Sequence, residues 1–168
     1  MSELSGVLLV DKPVGLTSHD AVARARRALG TRKIGHTGTL DPFASGLLLL
    51  CIGSATRLSE QLTGLRKRYS ATLKLGEATD TDDLTGEVVS RSDEWRELDE
   101  TQIREALQAQ TGEIQQLPPR YSAKKVAGER MYAAARRGEE VERTPVAVTV
   151  YDLRVTRIAP PEVDFEVE

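Results

Sequence analysis

The chain has 168 residues, of which 39 % are hydrophobic, 29 % charged and 4 % aromatic. It is too apolar for a disordered chain and long enough for one domain, or one domain and part of another. A single cysteine, Cys51, excludes an intrachain disulfide and a cysteine-based zinc site and points to a reducing, cytoplasmic setting. The longest apolar run, residues 47–52, falls far short of the roughly 20 residues of a membrane span, and Val7-Leu8-Leu9-Val10 is too short for a signal-peptide core.

Net charge is −3, but it is unevenly spread. Residues 1–76 hold 11 Lys/Arg against 5 Asp/Glu, residues 77–116 hold 3 against 12, and residues 117–168 hold 9 of each. Within the last block, residues 117–138 carry six cations and the single acid Glu129. Two basic segments flank an acidic middle. This is either ordinary solvated surface or a polyanion-binding face hidden by an acidic remainder.

In chain order, residues 6–11 predict a short buried strand. Residues 19–29 predict a helix with Ser18 as N-cap and Gly30 just past its end. Ala21, Val22, Ala25, Ala28 and Leu29 share one face, with Arg24, Arg26 and Arg27 largely off it. Residues 31–46 predict a loop rich in Gly, Thr, Asp and Pro, and residues 47–53 a buried strand. A short helix capped by Ser54 follows, with Leu58 and Leu62 inward and Gly64 as its stop. Residues 68–75 alternate, Tyr69, Ala71, Leu73 and Leu75 against Arg68, Ser70, Thr72 and Lys74, which predicts a half-buried strand. Residues 79–85 form an acidic loop and 87–90 a short strand. Asp99 and Gln102 have capping-box spacing for a helix over 100–111, ended by Gly112. Pro118-Pro119 opens the basic segment, with a helix near 129–137. Residues 146–158 predict one long strand. Val163, Phe165 and Val167 alternate with Asp164, Glu166 and Glu168 in a further strand whose pattern meets the chain end without a turn signal, as in a truncated chain. Strands and helices do not alternate regularly, so the expected class is α+β, with a mixed or antiparallel sheet.

The segment from Gly35 to Gly46, Gly-His-Thr-Gly-Thr-Leu-Asp-Pro-Phe-Ala-Ser-Gly, is the place where chemistry could sit. Asp41, stiffened by Pro42 at the entrance of an apolar strand, is either a turn-former or a carboxylate acting as nucleophile or acid/base. His36 alone is a hydrogen-bonding partner or a ligand. There is no phosphate-cradling loop and no dinucleotide fingerprint. Asp80-Thr81-Asp82-Asp83 resembles part of a calcium loop, but Leu84 takes an acidic position and Gly86 falls one residue late.

Four motifs occur in order. They are Asp11-Lys12-Pro13-Val14-Gly15-Leu16-Thr17-Ser18; the 35–46 loop; Lys67-Arg68-Tyr69 running into Leu75-Gly76-Glu77-Ala78-Thr79-Asp80-Thr81-Asp82; and Pro118-Pro119-Arg120-Tyr121-Ser122-Ala123-Lys124-Lys125 followed by Gly128-Glu129-Arg130-Met131-Tyr132. Together they resemble the bacterial TruB family, the tRNA pseudouridine synthases that modify uridine-55 in the T loop. The resemblance implies the pseudouridine synthase α+β fold, a curved sheet flanked by helices with the site in its cleft. It implies that Asp41 is the catalytic aspartate, that Tyr69 stacks on the target uracil and that His36 contacts the flipped-out RNA. Lys12 and Pro13 would buttress the site, with Lys12 counted among the substrate-binding residues. Residues 117–143 would be an insertion closing over the T loop, with Arg120, Lys124, Lys125 and Arg130 as RNA-contacting cations. Residues 1–168 would be a catalytic domain lacking the family's Gly-Thr-Tyr-Ile-Arg segment and its C-terminal RNA-binding domain, and so of doubtful competence alone. Implied partners are the T arm of tRNA, no membrane and no obligate protein; no metal or organic cofactor is implied. A non-catalytic RNA-binding fragment and a guide-RNA-dependent relative are the alternatives.

The residue types fit that chemistry. Detaching, turning and rejoining a base requires it to leave its stack. An aromatic face and a carboxylate near the sugar or ring are then needed, and stacking supplies roughly 1–3 kcal/mol per base.

Overall fold

The computed structural model describes residues 4–117, 125–126, 129–130 and 144–168. The chain divides into two compact units, Met1–Arg66 and Lys67–Glu168.

In the first unit, strand β1 (Gly6–Lys12) leads through a tight turn to helix α1 (Ser18–Leu29). Strands β2 (Ile34–His36) and β3 (Gly46–Ile52) follow, and the antiparallel sheet has the order β1-β3-β2. Helix α1 forms because both ends are satisfied. Thr17 accepts from the Asp20 amide while the Asp20 carboxylate accepts from the Thr17 amide, and Gly30 ends the helix at φ 62°, a left-handed conformation that favours glycine. Ala21, Val22 and Ala25 bury against Ile34, Leu48, Leu50 and Ile52, with Val10 and Leu40 packed alongside. Each fully buried aliphatic side chain contributes about 1.5–3 kcal/mol. The even positions of β3 make this core, because side chains alternate between faces along a strand. On the other face Val7, Leu9 and Leu47 stay exposed, while Cys51 is buried and its burial pushes the thiol pKa up.

Three expectations change here. The N-cap is Thr17, not Ser18, because the capping box runs from Thr17 to Asp20 and releases the Ser18 hydroxyl for a long-range contact. Residues 34–36, expected as loop, pair with Ile52, Cys51 and Leu50 as β2. The helical region after β3 starts as a 3₁₀ turn (Gly53–Leu58) and becomes α2 (Ser59–Thr63). Ser54 does not cap it but meets the Ser5 hydroxyl at 2.6 Å, and Leu58 points outward, so the buried residues there are Gly53 and Ala55.

The second unit opens with β4 (Tyr69–Lys74), β5 (Glu77–Thr79) and β6 (Val88–Arg91), then a 3₁₀ turn (Glu94–Glu97) and α3 (Glu100–Gln108). Strands β7 (Gly112–Gln116), β8 (Lys125–Val126), β9 (Glu129–Arg130), β10 (Val146–Val150), β11 (Leu153–Ala159) and β12 (Glu162–Val167) complete it. The pairings are β11-β12-β4, β10-β7, β5-β6 and β8-β9, all antiparallel. The α+β class with antiparallel pairing is therefore observed. Helix α3 has the expected Asp99/Gln102 capping box and packs on β11, burying Ile103; Leu153 and Val163 are buried too. The polar face of β4 and β12 is laced by Thr72–Asp164, Arg157–Asp164 and Arg154–Glu166 contacts.

Residues 146–158 form two strands rather than one. The apolar positions 146, 148 and 150 fall out of phase with 153 and 155, and a strand cannot change faces without a break. At the break the Tyr151 amide donates to the Glu168 carbonyl and the Glu168 amide to the Asp152 carbonyl. The expected helix near 129–137 begins instead with Glu129 and Arg130 as β9, and its remainder lies outside the described residues. The strands β5 and β7 were not expected at all. The half-buried character expected of β4 is absent, since each of its residues is exposed.

Candidate active site

The loop between β2 and β3 is pinned at both ends. The Thr37 amide donates to the Leu49 carbonyl at 3.1 Å, and Gly46 pairs with Lys12 across β1. Lys12 ends β1 fully buried. Its ammonium donates to the carbonyls of Leu16, at 2.7 Å, and Pro13, at 3.1 Å. A buried cation is tolerated only where such acceptors replace water. Lys12 thus curls residues 13–16 into a fixed turn.

That turn grips the loop. The Ser18 hydroxyl, buried at the start of α1, accepts from the Leu40 amide at 2.9 Å and lies 3.2 Å from the Leu40 carbonyl, to which it donates. The Gly15 amide donates to the Pro42 carbonyl at 2.7 Å. The Ala44 amide closes a turn onto the Asp41 carbonyl at 3.1 Å. Asp41 is therefore held by its backbone on both flanks while the residue itself is exposed. A carboxylate presented by a fixed backbone is suited to nucleophilic or proton-transfer work.

His36 is half-buried, with Nδ1 2.6 Å from the Gly38 carbonyl. A carbonyl only accepts, so Nδ1 carries the proton and Nε2 is the ring's remaining hydrogen-bonding atom. Tyr69 belongs to the second unit, where it opens β4 opposite Val167 and is 46 % exposed. Lys125 and Arg130 are register partners in the β8–β9 hairpin. Arg120 and Lys124 lie outside the described residues. The structure thus brings Lys12 and Asp41 together through Gly15, Leu16 and Ser18, with His36 at the head of the same loop.

The acidic loop is self-satisfied. Asp83 Oδ1 accepts from the Thr81 hydroxyl at 2.7 Å and from the Thr85 amide and hydroxyl at 2.8 and 2.6 Å, and Asp80 accepts from the Glu87 amide. Burial pushes the Asp83 carboxyl up, but the hydrogen bonds from Thr85 and Thr81 outweigh it and hold the group below its ordinary range. Among the described residues no three His, Cys, Asp or Glu side chains converge for a metal ion.

Sequence reasoning missed Ser18 and Gly15 as parts of the site. The available signal was Asp20 three residues after Thr17. That capping-box spacing assigns the cap to Thr17 and leaves the buried Ser18 to be explained.

The model of the TruB family pseudouridylate synthase N-terminal domain matches residues 26–168. The tRNA pseudouridine synthase B of Geobacillus kaustophilus is 49 % identical over 152 residues, covering 90 % of this chain and 53 % of that protein. The enzyme of the same name from Opitutus terrae is 50 % identical over 163 residues, covering 97 % and 67 %. The chain spans about half the length of most of the curated relatives it matches. Among solved structures, a Cbf5-Nop10-Gar1 complex superposes with a TM-score of 0.67 at 29 % identity, over 96 % of this chain and 38 % of that one. The chain belongs to the TruB family of pseudouridylate synthases, and its fold is that of these enzymes.

Proposed function

We propose that this chain carries the catalytic carboxylate of a tRNA pseudouridine synthase acting on uridine-55 of the T loop, and that Asp41 is that carboxylate. The observation that carries the reading is the double anchorage of the Asp41 loop to Ser18 and Gly15, with the residue left exposed. In the reaction the bond from the sugar carbon to the ring nitrogen breaks and a bond from the same carbon to a ring carbon forms. The ring carbon loses its proton and the nitrogen gains one. The base is extruded from its stack to expose these atoms. Tyr69 supplies an aromatic face for the uracil, worth roughly 1–3 kcal/mol. His36, fixed by the Gly38 carbonyl, presents Nε2 to the displaced RNA. Lys12 buttresses the turn that holds the loop. Residues 117–143 contribute RNA contacts through Arg120, Lys124, Lys125 and Arg130, and residues 1–168 constitute the catalytic portion. No step requires an added cofactor.

The names of the relatives support tRNA as substrate. The guide-RNA reading is weaker, since identity to tRNA pseudouridine synthase B proteins is 43–53 %, against 27–29 % to the Cbf5 and H/ACA structures.

The test is pseudouridine formation in a T-arm RNA, measured for this chain and for a chain extended to the length of its relatives. Asp41→Asn should abolish turnover in whichever form is active, with RNA affinity changed less than about threefold, because an amide cannot act as nucleophile or base. Turnover near the parent rate would overturn the assignment.

A further inference from the structure

Among the described residues, many cations of the second unit are paired, whereas a group in the first is not. In the second unit Arg68, Lys74, Arg91, Arg96, Arg104, Arg154 and Arg157 each lie within ion-pair distance of a carboxylate. In the first unit residues 21–40 contain five cations and no acid. Arg24, Arg27, Arg32 and Lys33 are exposed, and among the described residues none of the four makes an ion pair. The fifth, Arg26, is half-buried and turned inward, its guanidinium donating to the Ile34 carbonyl at 2.9 Å. The one acid within α1, Asp20, is engaged first by Thr17, with Arg24 a lesser influence.

These four cations have a definite place. Arg24 and Arg27, three residues apart, are neighbours on the outer surface of α1. Arg32 and Lys33 follow the helix, and the Gly53 amide donates to the Lys33 carbonyl at 2.8 Å, which ties this loop to the far end of β3. Asp41 sits at the opposite ends of both elements, next to Ser18 at the start of α1 and before Gly46 at the start of β3. Helix α1, at 12 residues, is about 18 Å long. The unpaired cations therefore begin on the outer face of α1 and continue past its end, at distances from the carboxylate that reach about the 18 Å length of the helix.

We infer that Arg24, Arg27, Arg32 and Lys33 form a phosphate-binding face that engages tRNA outside the T arm while the T loop occupies Asp41. This rests on the tRNA reading given above. Unpaired, solvated cations can release RNA counterions without first breaking a salt bridge, which the paired cations of the second unit cannot. The face would add affinity and orientation and read no sequence.

The test compares two RNAs, a whole unmodified tRNA transcript and a stem-loop holding the T arm alone, titrated at several salt concentrations. The variant carries Arg24→Gln, Arg27→Gln, Arg32→Gln and Lys33→Gln together. All four side chains are exposed, and an unchanged thermal midpoint verifies that the fold is kept. Removing two or three cations from phosphate should flatten the slope of log K against log salt for whole tRNA by about 1.5–2.5 units. The slope for the T-arm stem-loop should stay at the parent value. An unchanged slope for whole tRNA overturns the inference, and so does equal flattening for both RNAs, which would put the face on the T arm itself. Should the parent bind tRNA through this face yet form no pseudouridine in any form, the inference stands and the catalytic reading falls.

Discussion

Thr17 and Ser18 are adjacent, both carry hydroxyls, and the structure gives them different work. Thr17 caps α1, whereas Ser18 holds Leu40, the residue before Asp41. Thr17→Ala should lower stability by about 0.5–2 kcal/mol, the ordinary loss of an N-cap. It should leave kcat untouched in the active form. Ser18→Ala removes the partner of both the amide and the carbonyl of Leu40 and lets the loop shift. A shift of about 1 Å at a catalytic group costs on the order of 100-fold in rate, so kcat should fall roughly 10- to 100-fold with KM little changed. Amide exchange at Leu40 and Gly15 should quicken in Ser18→Ala and not in Thr17→Ala. If both variants lose the same stability and neither loses kcat, Ser18 is only a piece of the helix start. At this scale the sequence was legible where a residue type is chemically specific. Asp41, His36 and Lys12 stood out by motif. Ser18 and Gly15 did not, because their roles depend on partners more than 20 residues away in the chain.

Elements were legible where one physical rule decides them. The strand at 69–74 (though not its half-buried face), the alternation of 162–167, the glycine stop of α1 and the capping box of α3 needed only local chemistry. Elements are not legible where a partner strand decides. Ile34–His36 is a strand because Leu50 to Ile52 offer a ladder, and Val150 ends its strand because β10 and β11 choose different neighbours. Two carboxyls of the second unit, on β12 and β5, also make a pH prediction. Hydrogen bonds from Arg157 and then Thr72 hold the Asp164 carboxyl below its ordinary range, and a bond from Lys74 does the same for Glu77. A carboxyl depressed in the folded state adds stability above its unfolded pKa, near about 4, and loses it as pH falls through the folded value. The thermal midpoint should therefore be flat from about pH 7 to about pH 5 and fall below about pH 4. Asp164→Asn should be less stable than the parent at neutral pH, and the gap should close at the acid end, where the parent's Asp164 is itself protonated. A gap that stays constant down to about pH 2 would show that Asp164 contributes through packing rather than charge.

At the scale of the whole molecule, a net charge of −3 conceals an uneven distribution. The 12 acids of residues 77–116 explain the acidic total, and several are engaged locally, by Thr81, Thr85, Lys74 and Arg96. Two cationic regions remain, residues 24–33 and residues 117–138. They should respond differently to the same experiment. Residues 117–138 hold six cations and a single acid, Glu129, and the function proposed above gives this segment to the T arm. Lys124→Ala and Lys125→Ala together should flatten the salt slope by about 1.5 units if both touch phosphate, each contact adding about 0.7–0.9. The effect should be equal for the T-arm stem-loop and for whole tRNA, and equal for T arms of different sequence, since phosphate contacts position without reading bases. An unchanged slope would make this segment a solvated surface whose charges serve only solubility. A loss seen with whole tRNA alone would move Lys124 and Lys125 off the T arm and into the same class as Arg24 and Arg27.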